Sequence, residues 1–266
     1  MRVECLGDGD PEVAVVGGIH GDEPCGVTAI ERILDDQPDV ERPVALIVAN
    51  EEALATGQRY VDDDLNRWFP GDPEADSHEK RLAARLTDVL AGCETLSLHS
   101  TQSYDDMFAI VNGMTDFERG VCPHLAVDAL VDTGAFDRGR LFASVNDLVE
   151  IECGYQGSDQ AADNATQVTR EFLGAVGALP SAARPPETDL PVYRLDRQVP
   201  KEGAGTYEVY VSNFEHVPAG EPFAAADDRE IVAEEGFYPV LMSPYGYEDV
   251  FGFAAEHLGT VGDEAL

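Results

Sequence analysis

Lysine is almost missing from this chain. Lys80 and Lys201 are its only two, and with fifteen arginines they face 52 aspartates and glutamates, a formal net charge of −35 over 266 residues. Nucleic acid and anionic membrane surfaces bind through clustered cations, so this balance argues against both as partners. Such self-repulsion is tolerable where salt screens it, at a Debye length of about 3 Å in molar salt. The charge therefore points to a salt-adapted cytoplasm and is read as solvation rather than as a site. The five cysteines (Cys5, Cys25, Cys93, Cys122 and Cys153) form no CxxC pair. An odd count without a cleavable N-terminal apolar region points to reduced, mostly buried thiols. No apolar run approaches the ~20 residues that span a bilayer, and no internal repeat occurs. Neither GxGxxG nor GxxxxGK[ST] is present. A disordered acidic chain is excluded as well, because 44% of the residues are apolar. The length suits one substantial core, or one large domain and a small one.

What the chain does have is a glycine-rich turn, Gly17-Gly18-Ile19-His20-Gly21-Asp22-Glu23-Pro24, following a β-branched run at Val13–Val16. The run reads as a buried strand and the turn as the entry to a helix that starts at Pro24. His20 and Glu23 can aim an imidazole and a carboxylate at one point, as a zinc site requires. Capping and hydrogen bonding are the plainer use of such residues. A phosphate cradle is disfavoured by the Asp22-Glu23 pair.

Residues 24–35 read as an amphipathic helix and Val44–Ala49 as a second buried strand, the spacing of a βαβ unit. Next comes Arg59 to Gly71, in which Arg59 and Arg67 flank a run of aspartates. Either the arginines neutralise those aspartates, or they clamp a substrate carboxylate with help from Asn66. A helix is expected over about 74–91, then a strand, Glu94–His99, that delivers His99 at its carboxyl end. Open α/β sheets bind ligands at that edge, where His20 also falls. Phe108–Val111 reads as a strand and 123–131 as helical. Leu148–Cys153 is a strand whose alternation puts Glu150 and Glu152 on one face. Glu152, beside a glycine turn, sits where a general base would reach a metal-bound water, and Glu150 reads as structural or exposed on an edge strand. Ser158 is placed to cap a last helix. Pro180–Pro191 reads as a linker. Beyond it, strands at Val192–Leu195, Tyr207–Val211 and Tyr238–Met242 suggest a small β domain, with a frayed tail from Gly259. The division expected is thus a large α/β domain carrying the candidate site over 1–179, a linker over 180–191 and a β domain over 192–266.

His20-Gly-Asp-Glu23, Asp64-Leu-Asn-Arg67, Leu98-His99-Ser100-Thr101 and Ile151-Glu152-Cys-Gly154, in that order, resemble the succinylglutamate desuccinylase/aspartoacylase family. That family is a branch of the zinc carboxypeptidase (M14-like) fold. Pro218–Phe223 and Tyr238–Leu241 look like its C-terminal β domain. The resemblance implies an α/β fold, a mixed and mostly parallel sheet flanked by helices, with a small C-terminal β domain. It implies one zinc ion per chain held by His20, Glu23 and His99, with a water at the open position. Glu152 would be the base that takes a proton from that water and passes it to the leaving amine. Arg59 would stabilise the oxyanion, Asn66 and Arg67 would hold a substrate carboxylate, and Asp64, in the same substrate-binding segment, would orient its neighbours. The implied reaction is hydrolysis of a small N-acyl amino acid. A carboxypeptidase acting on short peptides and a non-catalytic binding module on the same fold are the alternatives. One departure stands out. Where aspartoacylase-like members carry a further arginine that binds the substrate's side carboxylate, this chain has Phe142, with Arg138 and Arg140 close by. The aromatic contributed from the C-terminal part is Tyr245 or Tyr247. His78, His124, His216 and His257 read as surface or structural, and Cys153 as a packed thiol.

Overall fold

The computed structural model describes residues 1–180, 186–203 and 205–263. Its centre is a ten-stranded sheet built from β1 (Arg2–Leu6), β2 (Val13–Gly17), β3 (Val44–Val48), β4 (Glu94–Thr101), β5 (Phe108–Val111), β6 (Leu130–Asp132), β7 (Leu148–Tyr155), β8 (Pro191–Pro200), β12 (Tyr238–Val240) and β13 (Val250–Thr260). The spatial order is β1-β3-β2-β4-β7-β5-β6-β8-β13-β12. β3, β2, β4 and β7 run parallel, while β5 is antiparallel to β7 and parallel to β6. The strands β9 (Tyr207–Val209), β10 (Pro222–Ala226) and β11 (Arg229–Val232) form a second, antiparallel sheet. This is the mixed α/β architecture expected, with a small antiparallel sheet in the C-terminal part.

Among the described residues, five α-helices accompany the strands: α1 (Cys25–Asp36), α2 (Glu51–Thr56), α3 (His78–Leu90), α4 (Asp116–Val121) and α5 (Asp159–Ala175). Alternation along the central strands sorts the core into two layers. Val13 and Val15 of β2 join Ile30 and Ile33 of α1 and Val168 and Phe172 of α5. Ala14 and Val16 join Leu82, Leu86 and Leu90 of α3 on the opposite face. Gly17 and Gly26 let α1 press onto β2: a Cβ on Gly17 would stand 2.5 Å from the Gly26 carbonyl carbon, so no larger residue fits.

Several boundaries differ from the sequence reading. The helix expected over 123–131 is absent; α4 ends at Val121, Cys122–His124 is a single 3-10 turn containing Pro123, and Leu125 is already extended. Sheet pairing outweighs the apolar spacing there, with Asp128 N–H donating to the Met107 carbonyl at 2.8 Å. β1 was not expected, because its side chains are mostly exposed; it is an edge strand held by backbone bonds to β3. The tail is not frayed at Gly259; of the segment expected to fray, residues 264–266 lie outside the described residues. β13 continues to Thr260, and buried Val261 donates to the Leu190 carbonyl at 3.0 Å. In the segment read as a linker, residues 181–185 lie outside the described residues. After it, β8, β13 and β12 extend the main sheet, while β9–β11 stand apart from it.

Candidate active site

The site forms at the carboxyl ends of β2, β4 and β7. β2 hands over to the glycine turn carrying His20 and Glu23, β4 presents His99, and β7, lying between β4 and β5, presents Glu150 and Glu152. Register places His99 directly beside Glu152. His20, Glu23, Arg59, Asn66, His99, Glu150 and Glu152 line one pocket, together with Arg140, Phe142 and Tyr247.

Ligand-type atoms of His20, Glu23 and His99, all three side chains buried, lie within 4.8 Å of one another. The Nδ1 atoms of His20 and His99 meet Glu23 at 2.8 and 3.0 Å, one on each carboxylate oxygen. The far nitrogens are engaged elsewhere. His20 Nε2 lies 3.0 Å from Asp64 Oδ1, and His99 Nε2 lies 3.2 Å from Ser97 Oγ and 3.5 Å from Glu150 Oε2. Two imidazoles oriented from behind, with a carboxylate between them, form a His2Glu donor set that fits a zinc ion. Electrostatics agree with that fit. Glu150, Glu23 and Glu152 together outweigh burial and push His99 up to about 10, a field of negative charge that a dication would offset. Burial works against ionisation of Glu23 too, yet His20 and His99 hold it well below the usual carboxylate range.

Glu152 is different. Its Oε2 is buried without a hydrogen-bond partner, and burial, with Glu23 nearby, raises the carboxyl to about 8. An unpartnered buried carboxylate oxygen calls for an explanation, and a working proton acceptor is one.

The segment between α2 and α3 brings Arg59, Asp64, Asn66 and Arg67 to the same place. Arg59 donates from Nη1 to Glu23 at 2.9 Å and from Nε to Asp64 at 3.2 Å. Asp64 lies behind His20 and is not among the pocket-lining residues; His20 and Arg59 keep it ionised against burial. Asn66 is buried: its Oδ1 accepts from Leu141 N–H at 2.9 Å, and its amide nitrogen donates to Glu150 Oε2 at 3.4 Å. Arg67 Nη1 donates to the Asn66 carbonyl at 2.8 Å, and its guanidinium is lowered by burial and by repulsion from Arg140.

Glu150 sits neither on an edge strand nor in solvent. β7 is central, and Glu150 is buried in the pocket wall. The Glu-x-Glu alternation in Leu148–Cys153 already placed both carboxylates on one face, which was the available signal. Tyr247 lines the pocket, whereas Tyr245 is 61% exposed against Tyr207. Arg140 and Phe142 both reach the pocket; Arg138 is exposed. Glu79, at the start of α3, escaped the sequence reading. This fully buried carboxylate accepts from Asn50 Nδ2 and from the amides of Val61, Asp62 and Asp63, at 2.7 to 3.1 Å. Cys153 is buried, and no histidine contact makes it a nucleophile; the neighbouring buried thiol of Cys25 donates to the His99 carbonyl at 3.3 Å. Among the described residues, His20, Glu23 and His99 are the one group arranged to hold a metal, and no helix is long and apolar enough to cross a membrane.

Residues 9–119 match the family model of the succinylglutamate desuccinylase/aspartoacylase catalytic domain. The chain is 35% identical over 109 residues to the N-acyl-aromatic-L-amino acid amidohydrolase (carboxylate-forming) of Rattus norvegicus, a match covering 34% of this chain and 33% of that protein. It thus spans about a third of that curated relative's length. A longer match, 27% identical over 261 positions, covers 86% of the chain and 73% of the N-alpha-acetyl-L-2,4-diaminobutyric acid deacetylase of Halomonas elongata. In fold, the chain is similar to the ectoine utilization protein EutE (DoeB) of Ruegeria pomeroyi, with a TM-score of 0.78 at 19% identity, covering 95% of this chain and 88% of that one. The neighbours share the M14-like fold.

Proposed function

We propose that this chain is a zinc-dependent deacylase of the succinylglutamate desuccinylase/aspartoacylase family, hydrolysing the amide bond of a small N-acyl amino acid in a salt-rich cytoplasm. The observation that carries the reading is the pairing, in one pocket, of the His20–Glu23–His99 donor set with the unpartnered Oε2 of Glu152. His20, Glu23 and His99 would hold one zinc ion. When bound, it supplies Lewis acidity toward a water and a carbonyl oxygen.

The chain's own residues do the rest. Glu152, whose Oε2 is buried without a hydrogen-bond partner, accepts a proton from the attacking water and returns it to the amide nitrogen as the C–N bond breaks. Water and amide become a carboxylic acid and an amine, which exchange a proton to leave as carboxylate and ammonium, and Glu152 ends as it began. Arg59, fixed by Glu23 and Asp64, aims positive charge at the carbonyl oxygen as it becomes anionic. Asp64 fixes the orientation of His20, and Ser97 and Glu150 do the same for His99. Asn66 lines the pocket, and Arg67, which is outside the lining and bonded to the Asn66 carbonyl, would help it hold a substrate carboxylate.

The test is amine release in molar salt with added zinc. The substrates are N-acetylaspartate, N-succinylglutamate, other N-acyl amino acids and a blocked dipeptide, with Glu152→Gln as the control. We expect release from an N-acyl amino acid and a loss of about 10²–10⁴-fold in the variant, the usual worth of a general base. Release from the blocked dipeptide alone would make the protein a peptidase. No release from zinc-loaded protein would leave a binding module.

A further inference from the structure

The pocket has two unlike walls. One is the charged cluster just described. The other is apolar and follows the sheet away from it. Ile110 of β5 pairs with Glu150 of β7 on one side and with Val131 of β6 on the other. Val131 pairs with Tyr193 of β8; two residues on, Leu195 pairs with Ala255 of β13, and Phe253 follows on the same strand face. Ile110, Val131, Leu195 and Phe253 all line the pocket, and Phe142 joins them from the 3-10 turn Leu141–Ala143. At about 4.8 Å per strand, the wall from β5 to β13 extends roughly 14 Å. These buried residues belong to the core layer that α3 covers over β2 and β3, so the wall is continuous with the core.

Between the walls stands Arg140. In a chain with 52 carboxylates, no ion pair or hydrogen bond to an acidic side chain holds its guanidinium among the described residues. Its charged neighbour is instead Arg67, and the two repel. The backbone enforces that proximity. Phe69 N–H donates to the Gly139 carbonyl at 3.1 Å, Leu141 N–H to Asn66 Oδ1 at 2.9 Å, and a Cβ on Gly139 would stand 2.1 Å from the Arg67 carbonyl oxygen. Gly139 has φ +75°, so no other residue fits there without strain. Arg67 has Asp64 at 3.8 Å as its counter-charge, which leaves the pocket-lining guanidinium of Arg140, held beside it, as the one open to a carboxylate.

We infer that the substrate is an N-acyl amino acid with a single carboxylate and an apolar side chain: Arg140, beside Arg67, takes the α-carboxylate, and the wall of Ile110, Val131, Phe142, Leu195 and Phe253 takes the side chain. Phe142 is the specificity-determining residue, because an acidic or cationic side chain laid against it would be desolvated without a partner. This inference rests on the deacylase reading above.

The experiment compares kcat/KM on the zinc-loaded full chain in molar salt. N-acetyl-L-leucine and N-acetyl-L-norleucine are set against N-acetyl-L-aspartate and Nα-acetyl-L-2,4-diaminobutyrate. The apolar pair should exceed both charged substrates by at least about tenfold, the lower end of what one methylene contributes in an apolar pocket. Phe142→Arg should shift the ratio toward N-acetylaspartate, and Arg140→Gln should raise KM for the leucine substrate more than it lowers kcat. A charged substrate that wins in the unaltered protein overturns the inference, as does an unchanged KM in Arg140→Gln. Calorimetric binding to zinc-loaded Glu152→Gln separates this from the reaction itself. Tighter binding of N-acetyl-leucine than N-acetylaspartate supports the inference even if no substrate is cleaved, an outcome that would sink the hydrolysis alone. The opposite ranking overturns it.

Discussion

The amide of Val61 donates a 2.7 Å hydrogen bond to Oε1 of Glu79, and the next two amides, of Asp62 and Asp63, converge on Oε2 of the same carboxylate. The following residue is Asp64, which orients His20, and Arg59 lies just before the turn. One buried carboxylate thus shapes the loop that carries half of the candidate site.

Replacing Glu79 with Gln should cost about 2–3 kcal/mol, the range for hydrogen bonds to a charged acceptor. Burial opposes ionisation of Glu79, but the Val61 amide, Asn50, Asp62 and Asp63 hold it below its ordinary value. A carboxyl depressed in the folded state contributes stability that is complete above the unfolded pKa, about 4.3, and is lost as pH falls through the folded pKa. The gap in Tm between the native protein and Glu79→Gln should therefore be wide at pH 6 and narrow progressively as pH falls below about 4.3, toward the depressed folded pKa. Thermal melts across that range check the sign. Zinc-loaded Glu79→Gln should also lose about tenfold or more in kcat/KM through misplacement of Arg59.

Asp64→Asn keeps the shape behind His20 and removes the negative charge. Loss of such an outer partner typically weakens metal binding by 10–100-fold. Competition titration with a chromogenic chelator should find that weakening in Asp64→Asn. An unchanged zinc affinity would separate Asp64 from the metal site and return it to the substrate wall.

Gly17→Ala should be strongly destabilising although the glycine is far from substrate. The added carbon would meet the Gly26 backbone at 2.5 to 2.9 Å, and backbone cannot rotate away. A loss of about 1–3 kcal/mol, the range for overpacking, should appear in urea unfolding as a lower midpoint at unchanged slope.

With a net charge of −35, the folded chain repels itself. Its Tm should climb steeply between 0.05 and 1 M potassium chloride as the Debye length falls from about 14 Å to 3 Å. A flat profile would place the acidic groups in local, short-range pairs instead.

Much of this arrangement is legible in the sequence, and the reason is locality. The β-branched run at Val13–Val16, the glycine turn and the strand ending near His99 announce themselves within a few residues, and parallel topology brings their carboxyl ends to one edge. Glu152 follows from the same rule. Residues whose position depends on distant backbone were not legible. Arg140 gains its meaning from the contact of Gly139 with Arg67, and Glu79 from amides sixteen to eighteen positions upstream. At 123–131, Pro123 and the pairing of β6 with β5 and β8 leave no room for the helix expected there. β1 carries almost no apolar signal, because an edge strand is held by its backbone rather than its side chains.

β7 enters the sheet out of turn. It comes later in the chain than β4, β5 and β6, yet lies between β4 and β5. As the polypeptide leaves the ribosome, His20, Glu23 and His99 all emerge well before Leu148, so the donor set is available while the strand bearing Glu152 is still unmade. β5 has no neighbour on the metal side until β7 arrives to separate it from β4. Of the four parallel strands β3, β2, β4 and β7, the last to be synthesised is the one that carries Glu152, so on the proposed reading the donor set is made before its base.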